Sequence, residues 1–167
     1  YTTWSAYQIA RQQNYPLTLS WAMHKVLDNI EELIPIGECF ELRVTGYSML
    51  PLMGRKGDTI IVRRTTPQEP IKGRIAMFRQ GDGHIVVHRV KSIDNGMVTL
   101  MGDGNTKGYE QCPRESIVGV VERVRRKGGE IVSCTSWWWR TREHLWLWQP
   151  RIIRQYSLAL MRRWLNR

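Results

Sequence analysis

Apolar positions change their spacing twice along the chain. Between Ser20 and Ile34, the residues Trp21, Val26, Leu27, Ile30, Leu33 and Ile34 recur at the period of one helical face, with Thr18 or Ser20 placed to cap the first turn and Pro35 to stop the last. After Gly37 the apolar runs shorten and fill with β-branched residues, predicting strands at 38–45, 58–64, 74–79, 84–92, 97–101 and 117–126, with glycine-bearing turns between them. Asp94-Asn95-Gly96 is the strongest hairpin signal, because Asn-Gly accepts the two positive φ angles of a type I′ turn; strands 84–92 and 97–101 should pair antiparallel. From Pro150 a helical period returns: Ile152, Ile153, Tyr156, Leu160 and Trp164 share one stripe, Arg151, Arg154 and Arg162 lie opposite, and Arg163 intrudes on the apolar edge. The expected organisation is therefore an N-terminal helical segment (1–36), a mostly β domain (37–134) and an amphipathic tail (135–167).

Charge sharpens the reading of that tail. The chain of 167 residues carries a formal charge of +10, which calls for an anionic partner surface. Residues 131–167 hold seven arginines against the single acid Glu143, together with six of the eight tryptophans. Tryptophan and arginine together suit a water–lipid boundary, so an anionic membrane surface is the expected partner, met by the stripe Ile152, Ile153, Tyr156, Leu160 and Trp164; a helix packed back on the domain is the alternative. Nucleic acid is not expected, because the N-terminal region offers one helix rather than a helix-turn-helix. No run reaches the roughly 18 apolar residues of a membrane span, so the expected association is peripheral, on an otherwise cytoplasmic protein. Cys39, Cys112 and Cys134 are odd in number and widely spaced, which indicates neither a disulfide framework nor a zinc site and fits a reducing compartment.

A serine becomes a nucleophile when a base takes its proton and its backbone exposes the hydroxyl. Ser48 stands in Thr45-Gly46-Tyr47-Ser48-Met49-Leu50-Pro51, just after a strand, where Gly46 permits a bend and Pro51 fixes the exit; on composition alone it is an ordinary turn residue. In His84-Ile85-Val86-Val87-His88-Arg89-Val90 the two histidines are four apart, but on a strand that spans about 13 Å, too far to share a metal ion. The loop Gly102-Asp103-Gly104-Asn105 starts like a calcium site, yet Lys107 fills a ligand position and Arg114 stands where the closing glutamate belongs. No cofactor is indicated. An acid just past the hairpin partner of the His88 strand is well placed to hold the histidine ring.

These strings, Gly46-Tyr47-Ser48-Met49-Leu50-Pro51, Gly57-Asp58-Thr59-Ile60-Ile61-Val62, Val87-His88-Arg89-Val90, Gly102-Asp103-Gly104-Asn105 and Ile117-Val118-Gly119-Val120-Val121, together resemble the signal peptidase I family. More narrowly they resemble its archaeal and endoplasmic-reticulum branch, in which a histidine replaces the general-base lysine. The resemblance implies a coiled, mostly β-barrel fold shared with the self-cleaving LexA-type repressors. It implies Ser48 as nucleophile, His88 as base, Asp103 as orienting acid, and a peptide or precursor-protein substrate. A second family aspartate falls here on Tyr109 with Glu110 beside it, so either Glu110 substitutes or the triad rests on Asp103 alone. A LexA-type self-cleaving regulator and a catalytically silent module binding lipid or nucleic acid are the alternatives.

Overall fold

The structure, a computed structural model, describes residues 3–5, 27, 29–54 and 57–165. Its elements follow in the order β1 (Thr3–Ser5), α1 (Ile30–Leu33), β2 (Cys39–Arg43), β3 (Thr59–Arg64), β4 (Ile75–Arg79), β5 (Ile85–Asp94), β6 (Met97–Met101) and β7 (Glu110–Pro113). A short 3₁₀ turn (Arg114–Ser116) leads to β8 (Ile117–Arg125), β9 (Ile131–Ser133), α2 (Trp137–Trp148) and α3 (Arg151–Leu165).

One mostly antiparallel sheet runs β1-β2-β3-β8-β4-β5-β6-β7, with β9 added against β8. Among the described residues β7 does not return to β1, so the strand path is open where a closed barrel was expected. The long β8 turns the sheet by pairing with β3, β4 and β9, and its register shifts against both β3 and β4. Such bulges increase local twist and bend the strand. The expected hairpin forms between β5 and β6, with Asn95 and Gly96 at φ 49° and 79° and Asp94 opposite Met97.

The segment expected to be helical contributes β1, which pairs parallel with β2. Of the helix expected over 20–34, residues 20–26 and 28 lie outside the described residues; α1 is its final turn, ended at Ile34 before Pro35. Ile30 and Ile34 anchor that turn in the main core with Phe40, Val62, Met77 and Val121. A second cluster, built on Phe78, Val90, Val98 and Leu100, lies under the β5–β6 hairpin. Cys39 sits in buried surroundings, Cys112 belongs to the second cluster, Cys134 is half-buried, and all three are free thiols.

The tail packs on the β body. Ser136 caps α2 by accepting from the Trp139 N–H, and Trp139 enters the main core. Trp146 of α2 and Leu158 of α3 bury against Leu50, two residues from Ser48, forming a third cluster with Tyr47, Leu147 and Leu165 at its edge. The turn carrying the candidate nucleophile thus rests on the C-terminal helices.

Candidate active site

The chain leaves β2 at Arg43 and enters a compact turn over residues 47–53, tightened by Leu50 N–H donating to the Tyr47 carbonyl (3.2 Å) and Met53 N–H to the Met49 carbonyl (3.1 Å). Gly54, at φ +98°, closes the turn where an added side chain would strike the Gly46 carbonyl. Ser48 is half-buried, while Met49 and Leu50 are drawn into the interior.

The loop after β6 lies directly on this turn. Gly104 N–H donates to the Ser48 carbonyl at 2.7 Å, and Asp103 N–H points at Met49 Sδ at 3.5 Å. Gly102 is the point of closest approach. A Cβ there would overlap the Ser48 carbonyl oxygen and stand 3.0 Å from His88 Nε2. The backbone of Ser48 and the ring edge of His88 therefore meet over one missing side chain.

His88 projects from β5 and is only 4% exposed. Its Nδ1–H donates to Glu110 Oε2 at 2.6 Å. A carboxylate accepts only, so this bond leaves the lone pair of the neutral ring on Nε2. Among the described residues no group bonds to Nε2, although it is buried. An unpartnered buried ring nitrogen is costly, and such atoms gather where chemistry uses them.

Strand alternation explains why Glu110, and not Asp103, reaches the ring. Val90 faces Leu100 across β5–β6, and Leu100 faces Glu110 across β6–β7. Directly paired residues share a face, and so do residues two apart, which puts Glu110 on the His88 side. Arg89 alternates with His88 to the opposite face of β5, and Asp103, in the turn after β6 ends at Met101, lies on that side. There the Arg89 guanidinium takes both carboxylate oxygens, Nε to Oδ1 at 2.8 Å and Nη2 to Oδ2 at 2.6 Å. Asp103, expected to hold the ring, thus bonds Arg89, and Glu110 is the acid that bonds His88.

Asp103 instead centres a buried network that reaches the tail. Arg89 Nη1 also donates to the Gly73 carbonyl (2.8 Å) and to Glu143 Oε1 of α2 (2.5 Å). Burial works against the charge of Arg89, but Asp103 and Glu143 outweigh it and raise its pKa. Burial pushes the Glu143 carboxyl up, opposed by Arg89. The Asp103 carbonyl accepts from Trp146 Nε1 (2.9 Å) and Arg154 Nη2 (2.8 Å), and the Gly104 carbonyl from Arg162 Nη2 (3.0 Å). Lys91, at the β5–β6 register shift, is held below the ordinary lysine range by burial.

None of Arg89, Lys91, Glu143, Trp146, Arg154 or Arg162 was singled out from sequence as part of the site. The only available signal was Arg89, a charge amid the β-branched run of β5. A cavity of about 220 Å³ lies behind this network, lined by Lys72, Arg74, Arg89, Trp139, Arg140 and Glu143 among others, and takes in neither Ser48 nor His88. The stripe Ile152, Ile153, Tyr156, Leu160 and Trp164 lies outside the site and faces away from the protein.

A family model described as Peptidase S24-like matches residues 7–122. No curated protein matches the chain. The matched region holds Ser48, His88, Asp103 and Glu110 and ends before α2 and α3 begin. The match supports the superfamily that contains the LexA-type and signal peptidase I proteins. Because it covers well over half of the 167 residues, the chain belongs to the Peptidase S24-like family.

Proposed function

We propose that this protein is a serine endopeptidase in which Ser48 is the nucleophile, His88 the general base and Glu110 the acid that orients it. The observation that carries the reading is His88: one ring nitrogen bonded to a carboxylate, the other buried, unpartnered and beside the Ser48 turn. In the first step Ser48 Oγ adds to the scissile carbonyl carbon as its proton passes to His88 Nε2. The tetrahedral adduct expels the amine, which takes that proton from His88. Water, deprotonated by His88, then releases the acyl group and restores Ser48. Glu110 keeps the ring in the tautomer that presents Nε2 and stabilises the imidazolium formed between transfers. The Ser48 backbone N–H is a natural oxyanion donor.

The resemblance to signal peptidases suggests an extended peptide with small side chains before the cut, taken from exported or secreted precursors. A serine-directed phosphonate should label the wild-type chain at Ser48, with labelling and peptide turnover both lost in Ser48→Ala. Undiminished turnover by a folded Ser48→Ala chain rules the reading out. Intact mass followed over time separates a peptidase acting on other chains, which keeps its mass, from a LexA-type protein, which cuts itself.

A further inference from the structure

Helix α3 is inside out. Its inward side carries Arg154, Leu158 and Arg162, with the two arginines donating to the backbone carbonyls of Asp103 and Gly104. Its outward side carries Ile152, Ile153, Tyr156, Leu160 and Trp164, which are between 52% and 76% exposed. Helix α2 repeats the arrangement: Trp139 and Trp146 are buried, while Trp137, Trp138, Leu145 and Trp148 stand exposed. A helix that turns Arg154 and Arg162 to the protein and its apolar face to water is suited to a second apolar phase. Large apolar side chains exposed along one side of a helix mark interaction sites.

We propose that the outward faces of α2 and α3 are a docking surface for an anionic lipid bilayer. Charge selects this occupant. Arg163 is exposed on the apolar edge of α3 and Arg142 is exposed on α2, whereas the only acid of the two helices, Glu143, is half-buried and bound to Arg89. A second copy of the chain would bring the same arginines against themselves, since a two-fold interface pairs a patch with itself and like charges oppose it. Anionic headgroups meet the arginines favourably, and tryptophan and tyrosine rings settle at the headgroup boundary. Among the described residues no helix is long and apolar enough to cross a membrane, so the pair lies along the surface.

The proposal stands independently of the peptidase reading, because Ser48→Ala should bind lipid as the wild type does. The full chain should float with vesicles of phosphatidylcholine mixed with phosphatidylglycerol and stay behind with phosphatidylcholine alone. Arg142→Gln with Arg163→Gln should weaken binding by about five-fold for each cation removed, and added salt should weaken it too. The outward triple change Ile152→Ser, Leu160→Ser and Trp164→Ser should abolish flotation while circular dichroism and the melting temperature stay unchanged. If that variant misfolds, brominated lipid supplies the readout on the wild type, quenching its tryptophan fluorescence when the surface inserts. Absence of both flotation and quenching with anionic vesicles overturns the proposal. So does equal binding to neutral vesicles, or a dimer in sedimentation that the triple variant converts to monomer.

Discussion

Glu110 Oε2 lies 2.6 Å from His88 Nδ1, whereas the Asp103 carboxylate is bound on both oxygens by Arg89. Two neighbouring acids thus have separate duties, one toward the imidazole and one toward the scaffold.

The duties separate in mutants. Glu110→Gln should lower kcat by at least about 100-fold, because the ring loses the partner that fixes its tautomer, while the melting temperature moves little. Asp103→Asn leaves Arg89 buried with a weakened partner and should cost about 3 kcal/mol of stability in denaturant unfolding. If instead Asp103→Asn removes activity at unchanged stability, the orienting role passes to Asp103.

Gly102→Ala tests the contact between turn and ring. The methyl group would overlap the Ser48 carbonyl oxygen and press on His88 Nε2 from 3.0 Å. Displacing either group by about 1 Å is enough to cost about 100-fold in rate. Steady-state kinetics on a folded variant should show the loss in kcat, with KM little changed.

The six strands β2–β6 and β8 were legible because each rests on a local rule, a β-branched run or an Asn-Gly turn, whereas the roles expected for Ser48 and His88 came only from the resemblance. Glu110 was visible only as a neighbour of Tyr109. Its strand, Glu110-Gln111-Cys112-Pro113, has no β-branched residue, and its face depends on pairings across two strands rather than on spacing. Helix α2 escaped a periodic reading for another reason. Trp137, Trp138 and Trp139 put aromatic rings on both sides, so no apolar stripe stands out although the helix has a buried side.

Removing the tail should damage the site without any lipid present. A chain ending at Gly129 loses β9, the buried Trp139, Trp146 and Leu158, and the Glu143 partner of Arg89. Each large buried side chain is worth about 1.5–3 kcal/mol, so the loss rivals the roughly 5–15 kcal/mol that holds a domain folded. The truncated chain should melt far below the full one and cleave soluble peptides poorly; a cooperative melt at the wild-type temperature would refute this.

Lys91 supplies a pH test. Its pKa is lowered chiefly by burial from an ordinary 10.5, so the folded state binds its proton less tightly than the unfolded state does. Stability therefore rises with pH between the lowered value and 10.5, and the penalty is full below that window. Lys91→Met should unfold at higher denaturant than the wild type at neutral pH, with the advantage vanishing above pH 10.5. An advantage that persists unchanged in strong alkali would point to packing rather than charge.

The three cysteines carry a consequence for where such a chain can work. Burial raises the Cys39 thiol and pushes Cys112 up to about 11 and Cys134 up to about 12. Oxidants and disulfides react with thiolate, which these groups scarcely form near neutrality. An odd count of free cysteines reads in sequence as a mark of reducing surroundings, but sulfur held this way is chemically silent. The chain's cysteines are thus poor thiolates near neutrality, and the proposed nucleophile, the Ser48 hydroxyl, would be indifferent to the glutathione poise.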